Sequence, residues 1–495
     1  MPHLLPFALL CTPLLAALPC LLWRSALVAE WAVGLGAAIM LALGIWVAAA
    51  AGARPARFEP GLYVDALTAV LILVISAVGA AVVLASLGYM RREVEHKRLP
   101  ASQLRWYYLW LQLFLFMMLL SALAANLGIL WTGIECTTVL SGVLVGFYRT
   151  PESLEAAWKY VVICSLGIAL ALFGTVLIYY SAVQVVGQGN SALDWATLAG
   201  VAPRLDSHLL RLSFGVMLVG FGTKAGLAPM HTWLPDAHSQ APTPISAALS
   251  AVLLNCALYA ILRYHAIAVR ALGPDFSSHL LLAFGLFSIA VAIPFLLVQH
   301  DVKRLLAYSS MEHMGIITAA AGIGGRLGLF AALLHLVNHA FAKSAMFLNM
   351  GAIIQRLGTR NIRRLGGAAH LLPGASAVAL LGGLALAGSP PFGPFLGEFT
   401  AVRAAFQSQQ DVVGALLLLL LAIAFGGLLL HLGPIALGSP SHRVRTAEPA
   451  VATARDRLGL LAIGVLSLVV LLFGIHVPDG LVTLLQRAAD VVGGF

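Results

Sequence analysis

The apolar and polar positions of this chain do not alternate in the short periods of a soluble fold. Long apolar blocks follow one another, separated by brief polar breaks. A helix that crosses a hydrocarbon core needs about 20 mostly apolar residues, and about fourteen segments meet that measure. They lie at roughly 4–22, 26–50, 65–88, 106–124, 126–147, 158–183, 211–230, 244–262, 278–299, 304–323, 327–355, 375–407, 412–436 and 459–477. The twelfth is long and is interrupted by Pro390 and Pro391. The pattern predicts an all-α polytopic membrane protein and leaves little chain for a soluble domain. No Lys or Arg precedes Arg24, so the first block lacks the positive region of a cleaved secretory signal and is read as a retained helix.

Two longer connections stand out. Residues 184–210, with Gly, Ser, Asn and Asp, are expected to form an extramembrane hairpin or turn, and residues 437–457 a basic, mobile cytoplasmic linker. A weak internal symmetry divides the rest. Residues 106–262 and 278–436 each hold five spans, after a three-helix segment at 1–105 and before a linker and final helix at 437–495. Each block has a mid-helix Glu, Glu135 or Glu312, followed by a Pro-interrupted segment, GTKAGLAPMHTWLP or AGSPPFGPFLGEF. An odd number of spans per block inverts the second copy relative to the first. Broken segments at matching positions of inverted repeats point to a transport site.

Composition sharpens this picture. Hydrophobic residues make up 60% of the chain and charged residues only 10%, against about a quarter charged in soluble domains. The net charge of +9 does not call for nucleic acid, because Lys and Arg collect in alternate loops. About eighteen fall on one side and about eight, Arg263 and Arg270 among them, on the other, which places the richer side in the cytoplasm and both termini outside. The five cysteines all lie in apolar segments without a CxxC pair, so no iron–sulfur or zinc framework is visible and no cofactor is expected in this chain.

The informative residues are charges where a bilayer should exclude them. An ionisable group at the centre of a spanning helix costs about 2.5–3.5 kcal/mol on insertion scales, and only a long cation near a helix end can snorkel out. Glu135 falls near the middle of its span, and Lys224 lies deep in its own, five residues before Pro229. A Glu–Lys pair that opens and closes is a proton switch: paired, the ammonium keeps its proton, and separated in apolar surroundings it releases it. His335, His339 and Lys343 recur at i, i+4 and i+8, which sets three titratable groups on one helical stripe about 12 Å long. Histidine suits a relay because its free pKa lies near neutrality. Glu398 follows the double-proline break.

Other residues carry weaker signals. Glu312 and His313 lie inside the tenth span and pair locally or join the relay; Lys159 lies at the start of the sixth, within snorkelling reach of the surface. His231, Asp236 and His238, in HTWLPDAHSQAPTP, fix a turn or admit protons from the cytoplasm. No third ligand with a recognisable spacing accompanies the two histidines, so a metal site is not expected there.

With these residues in place, GTKAGLAPMHTWLPDAHSQAPTPISA, DVKRLLAYSSMEHMGI, HLVNHAFAKSAMFLNMGAI and LAGSPPFGPFLGEF together resemble the antiporter-like proton-conducting subunits. That family is shared by respiratory complex I, multi-subunit cation/proton antiporters and group 4 membrane-bound hydrogenases. The resemblance runs from YVDALTAV near residue 63 to the thirteenth span, and AYSSMEHMG is most similar to the hydrogenase-4 component F group. The chain ends without the long lateral helix of the largest complex I member of the family. The resemblance implies that Glu135 and Lys224 form a gating pair, that His335, His339 and Lys343 form the central relay, and that Glu398 is the terminal site. It also marks a departure. Asn255 stands where several members carry Lys, and an amide can orient water but cannot hold a proton at neutral pH.

The resemblance further implies a non-catalytic, proton-translocating subunit in the bacterial cytoplasmic membrane. Its partners would be other membrane subunits and, through the complex, peripheral nickel-hydrogenase and iron–sulfur subunits, with no nucleic acid. A complex I subunit proper, a component of a multi-subunit cation/proton antiporter and a scaffold with inert charges are the competing expectations.

Overall fold

The structure is a computed structural model that describes residues 4–51, 55–446 and 454–495. Helices dominate it. The first three are α1 (Leu5–Leu22), α2 (Ala26–Ala51) and α3 (Ala66–Glu95), with a small antiparallel hairpin of β1 (Ala56–Phe58) and β2 (Leu62–Val64) before α3. Then come α4 (Leu104–Leu123), α5 (Leu127–Val145), α6 (Pro151–Val186), the short α7 (Trp195–Val201) and α8 (Ser207–Ala225). A break leads into α9 (Leu234–Gln240), α10 (Thr243–Ala248) and, through a π-helical turn at Leu249–Leu253, α11 (Leu254–Leu272). The second half holds α12 (Asp275–Val298), α13 (Val302–Ile323), α14 (Gly325–Leu357), the one-turn α15 (Ile362–Leu365), α16 (Pro373–Leu386), α17 (Gly393–Gln407) and α18 (Asp411–Leu437). The chain closes with α19 (His442–Thr446), α20 (Ala454–Ile475) and α21 (Asp479–Gly493).

Helix starts follow capping chemistry. Asp65, Asn126, Thr150, Asp194, Asp206 and Asp301 each accept a backbone N–H of the turn they open. Ten described helices are long and apolar enough to cross a membrane, or eleven if the bent pair Ile362–His370 and Pro373–Leu386 is one span. Helices α8, α13 and α14 fall short of that test because polar and titratable residues interrupt them. Two of them are also among the most enclosed: α13 and α14 are buried along almost their whole length. The α10–α11 segment is likewise fully enclosed. The periphery carries the greasy face, with Trp31 74%, Leu166 67% and Leu461 62% exposed. Polar helices inside and apolar helices outside is the order a bilayer demands.

Three local expectations are refined. Residues 184–210, expected as an extramembrane hairpin or turn, run from the end of α6 through short helical turns around α7 into the start of α8. The flanks of the expected linker are helical (α19 and the start of α20), and its centre, 447–453, lies outside the described residues. Helix α21, amphipathic and unforeseen, buries Leu484, Leu485, Ala488, Ala489 and Val492 against α3, α11 and α14.

One buried ion pair ties the N-terminal helices to α11. Arg263 donates from Nη1 to Asp65 Oδ2 at 2.6 Å and from Nη2 to Oδ1 at 2.7 Å and to Thr68 at 2.7 Å. Its guanidinium also lies over the rings of Trp195 and Tyr259, 4.2 and 4.9 Å from their centroids. Both partners are buried, so the charge pair is held by geometry and bidentate bonding rather than by solvent.

Candidate functional site

Two helices break where the sequence carries its Pro-interrupted motifs. Helix α8 ends at Ala225, and Gly226 takes the left-handed conformation (φ 74°), returning N–H groups to carbonyls of the last turn. A side chain at Gly226 would also meet Leu234, its Cβ 2.3 Å from Cδ1. Lys224 is thereby fixed in the last turn of α8, fully buried. In the second half α16 ends before Gly388, again left-handed (φ 71°), and α17 begins at Gly393. A Cβ on Gly388 would lie 1.9 Å from Glu398 Oε2, so this glycine makes room for the carboxyl as well as for the turn. Both breaks contain a cis X–Pro bond, Ala228–Pro229 and Pro390–Pro391.

Around Lys224 the polar groups form a connected set. Its Nζ donates to Thr138 Oγ1 at 2.8 Å and to Tyr160 Oη at 2.5 Å. Thr138 donates onward to Glu135 Oε2 at 3.3 Å, and Ser165 donates to Glu135 Oε1 at 2.9 Å. The expected direct Glu135–Lys224 pair is therefore replaced by a bridge: among the described residues no ion pair joins them, and the Thr138 hydroxyl stands between. The reason is helical spacing, since Thr138 lies one turn after Glu135 on the same face of α5. Glu135 is only partly buried, whereas Lys224 is enclosed. Tyr160 continues to Ser141 at 2.6 Å and packs against Trp233, ring centroids 4.8 Å apart and planes tilted by 53°.

The second cluster lies on α13, α14 and α17. His335, His339 and Lys343 occupy one buried stripe of α14, as the spacing predicts. His313 of α13 joins them: its Nδ1 shares a hydrogen bond with His335 Nε2 at 2.9 Å, and its ring is 5.2 Å from that of His339. Which nitrogen donates depends on the tautomer. One donor atom each of His313, His335 and Glu398 lies within 4.8 Å of the others. These three could ligate a cation, but a tetrahedral zinc site sets its donors roughly 3.3 Å apart, and 2.9 Å is the spacing of a shared proton. Glu312 is buried, with one carboxylate oxygen unpartnered, and interacts electrostatically with Lys343. Lys343 donates to the Leu306 carbonyl at 3.2 Å. Both ring nitrogens of His339 and one each of His313 and His335 have no hydrogen-bond partner among the described residues. Buried polar atoms in that state call for water or a mobile proton.

Between the clusters stands His238. Its Nδ1 bonds the Leu234 carbonyl at 2.9 Å, its Nε2 has no hydrogen-bond partner among the described residues, and its ring lies 6.2 Å from Trp233 and 5.7 Å from Phe347. Trp233 touches the Lys224 set and Phe347 belongs to the α14 set, so His238 occupies the gap. Asn255 does not fill it: its Nδ2 donates to Ala251 O at 2.8 Å, within the π turn, and its buried Oδ1 has no partner among the described residues. His231 is packed near Phe295 and Tyr308, apart from both clusters. Asp236 and Lys159 face outward, with Lys159 Nζ 3.6 Å from Asp236 and 2.6 Å from Glu155, and Arg304 bonded to Asp236. These two are partly exposed ion-pair members, not part of the buried row.

The model of the family described as "NADH:quinone oxidoreductase/Mrp antiporter, TM" matches residues 124–425, and that of "NADH-Ubiquinone oxidoreductase (complex I), chain 5 N-terminus" matches 53–98. The chain is 44% identical over 383 residues to the hydrogenase-4 component F homolog of Methylacidiphilum infernorum, covering 77% of this chain and 80% of that protein. It is 31% identical to hydrogenase-4 component B of Escherichia coli over 75% of this chain, but spans only 56% of that longer protein. In fold it resembles a chain of the membrane-bound sulfane sulfur reductase, an archaeal respiratory membrane complex, with a TM-score of 0.85 at 23% identity over 99% of this chain and 97% of the other.

Proposed function

We propose that this chain, which belongs to the NADH:quinone oxidoreductase/Mrp antiporter transmembrane family, is a proton-translocating membrane subunit of a hydrogenase-4-like complex. The observation that carries the reading is a series of titratable groups inside the helix bundle, buried from Lys224 onward. It runs from Glu135 through Thr138 to Lys224, past His238, and through Lys343, His339, His313 and His335 to Glu398. Sequestered charges cost several kcal/mol in a bilayer, and a scaffold has no use for a contiguous series of them. Protons arriving at Glu135 set the charge next to Lys224; His238 and ordered water carry the step that Asn255 cannot; the histidine cluster and Glu398 complete the passage. No redox chemistry is assigned to this chain: the driving energy would come from partner subunits.

In this reading fourteen segments cross the membrane, with α8–α9 and α16–α17 each counted as one broken span. Helices α4 to α11 form the first five-span repeat, near residues 106–262, and α12 to α18 the second, near 278–436, in inverted orientation. The support is positional. A Glu on the second helix (Glu135, Glu312) and a left-handed glycine at the break of the fourth (Gly226, Gly388) recur in both. Residues 1–105 and 437–495 flank the repeats. The basic loops face the cytoplasm and the termini the periplasm of a bacterial inner membrane. Partners would be further membrane subunits and, beyond them, peripheral nickel-hydrogenase and iron–sulfur subunits.

Affinity purification of the chain from native membranes, with identification of the co-purifying subunits, tests the assignment. Hydrogenase large and small subunits are expected. Recovery with antiporter subunits alone would move the chain to the cation/proton antiporter reading, which the family description favours as the alternative.

A further inference from the structure

A cavity of about 540 Å³ opens between the end of α3, the α9–α10 connection, the start of α13 and the end of α14. Tyr89, Glu93, Thr243, Lys303 and Arg360 line it. It lies at the same end of the helices as Asp236, Arg304 and Lys159, the end with the richer loop charge. Two of its groups are unusual. The Glu93 side chain is 1% exposed and accepts from Gln355 at 2.6 Å and from Arg98 at 3.2 Å. Lys303 is 3% exposed, and its ammonium donates to the Ala241 carbonyl at 2.6 Å. An ammonium has three donors, and among the described residues no carboxylate lies within ion-pair distance of this one. The cavity supplies the missing acceptors, with room for roughly a dozen or more waters at about 30 Å³ each.

Its wall includes Ser239, Gln240 and Ala241, the residues that follow His238. Ala241, whose carbonyl accepts from Lys303, comes three residues after His238. The His238 Nε2 is buried and has no hydrogen-bond partner among the described residues.

We propose that this vestibule is a second proton-uptake port, in which Glu93 and Lys303 collect protons and deliver them through water to His238 and then Lys343, in parallel with the Glu135–Lys224 route. The proposal rests on the proton-translocating reading above. Glu93 faces the basic mouth and draws protons; Lys303 releases one inward when a second arrives behind it. The bond of Glu93 to Gln355 also holds α3 to α14, so a purely structural role must be separated from this one.

The test is proton uptake by everted vesicles that contain the whole complex, with assembled complex quantified in every sample. Lys303→Met should lower uptake several-fold alone and abolish the residual uptake of Lys224→Ala. Lys303→Arg keeps charge and packing but does not give up a proton, and should be as slow as Lys303→Met if it acts as a carrier. Arginine restoring wild-type uptake, or Lys224→Ala leaving no residual uptake, overturns the port. In membranes, Thr359→Cys on the cavity wall should react with a membrane-impermeant thiol reagent from the basic side above the wild-type background. Absence of labelling also overturns it. If Lys343→Met leaves uptake intact, the proton-translocating reading fails instead, whatever the port does.

Discussion

Replacing Thr138 with valine keeps the volume of the side chain and removes its hydroxyl, the one group that touches both Lys224 and Glu135. Lys224 Nζ has two protein acceptors, Thr138 at 2.8 Å and Tyr160 at 2.5 Å, and no surface to turn to. A hydrogen bond to a charged group contributes about 1.5–3 kcal/mol, which amounts to roughly a ten- to hundredfold shift against the ammonium at about 1.4 kcal/mol per decade. The variant also cuts the path by which the state of Glu135 reaches the amine. With the parallel port closed by Lys303→Met, uptake of protons by everted vesicles, normalised to assembled complex, should fall about tenfold or more when Thr138→Val is added, by the same hydrogen-bond arithmetic, and recover most of the way with Thr138→Ser. Undiminished uptake when Thr138→Val is added to the Lys303→Met complex, fully assembled, would refute the bridge and require Glu135 to act on Lys224 across space alone.

Two further outcomes follow from the geometry. His313→Ala should impair uptake as severely as His335→Ala, and the double variant should be little worse than either, because groups that act as one unit are not additive; independent, additive losses in the same vesicle assay would separate His313 from the relay. Asp65→Asn should lower the thermal stability of the detergent-purified protein sharply, by about 3–5 kcal/mol for a buried ion pair left with one charge, while Asp65→Leu combined with Arg263→Met should recover much of the loss; thermal unfolding followed by size-exclusion chromatography reads both.

The sequence made the helices legible because a bilayer-length apolar run has few other meanings. The stripe His335–His339–Lys343 was equally legible, since spacing within one helix fixes which residues share a face. What it concealed were contacts between helices. Thr138 reads as an ordinary threonine in ECTTVLSG until Lys224, 86 residues later, is set against it. The approach of His313 to His335 and Glu398 depends on how α13, α14 and α17 pack, which periodicity does not specify. His238 and Asp236 are two residues apart in one motif, yet one is enclosed beside the relay and the other pairs with Arg304 at the rim. Arg263 looked like a loop cation because it ends an apolar run; its partner Asp65 is 198 positions away. The signal available for it was Asp65 itself, a carboxylate immediately before a long apolar helix.

The central claim is that the buried row carries the protons, and Lys343 is the residue on which its second half depends. The direct measurement is substrate-driven proton uptake by everted vesicles bearing the Lys343→Met complex, with subunit composition and turnover of the peripheral subunits recorded in parallel. The account predicts an intact complex whose proton uptake is lost. Uptake at the wild-type rate from that same intact complex would contradict it.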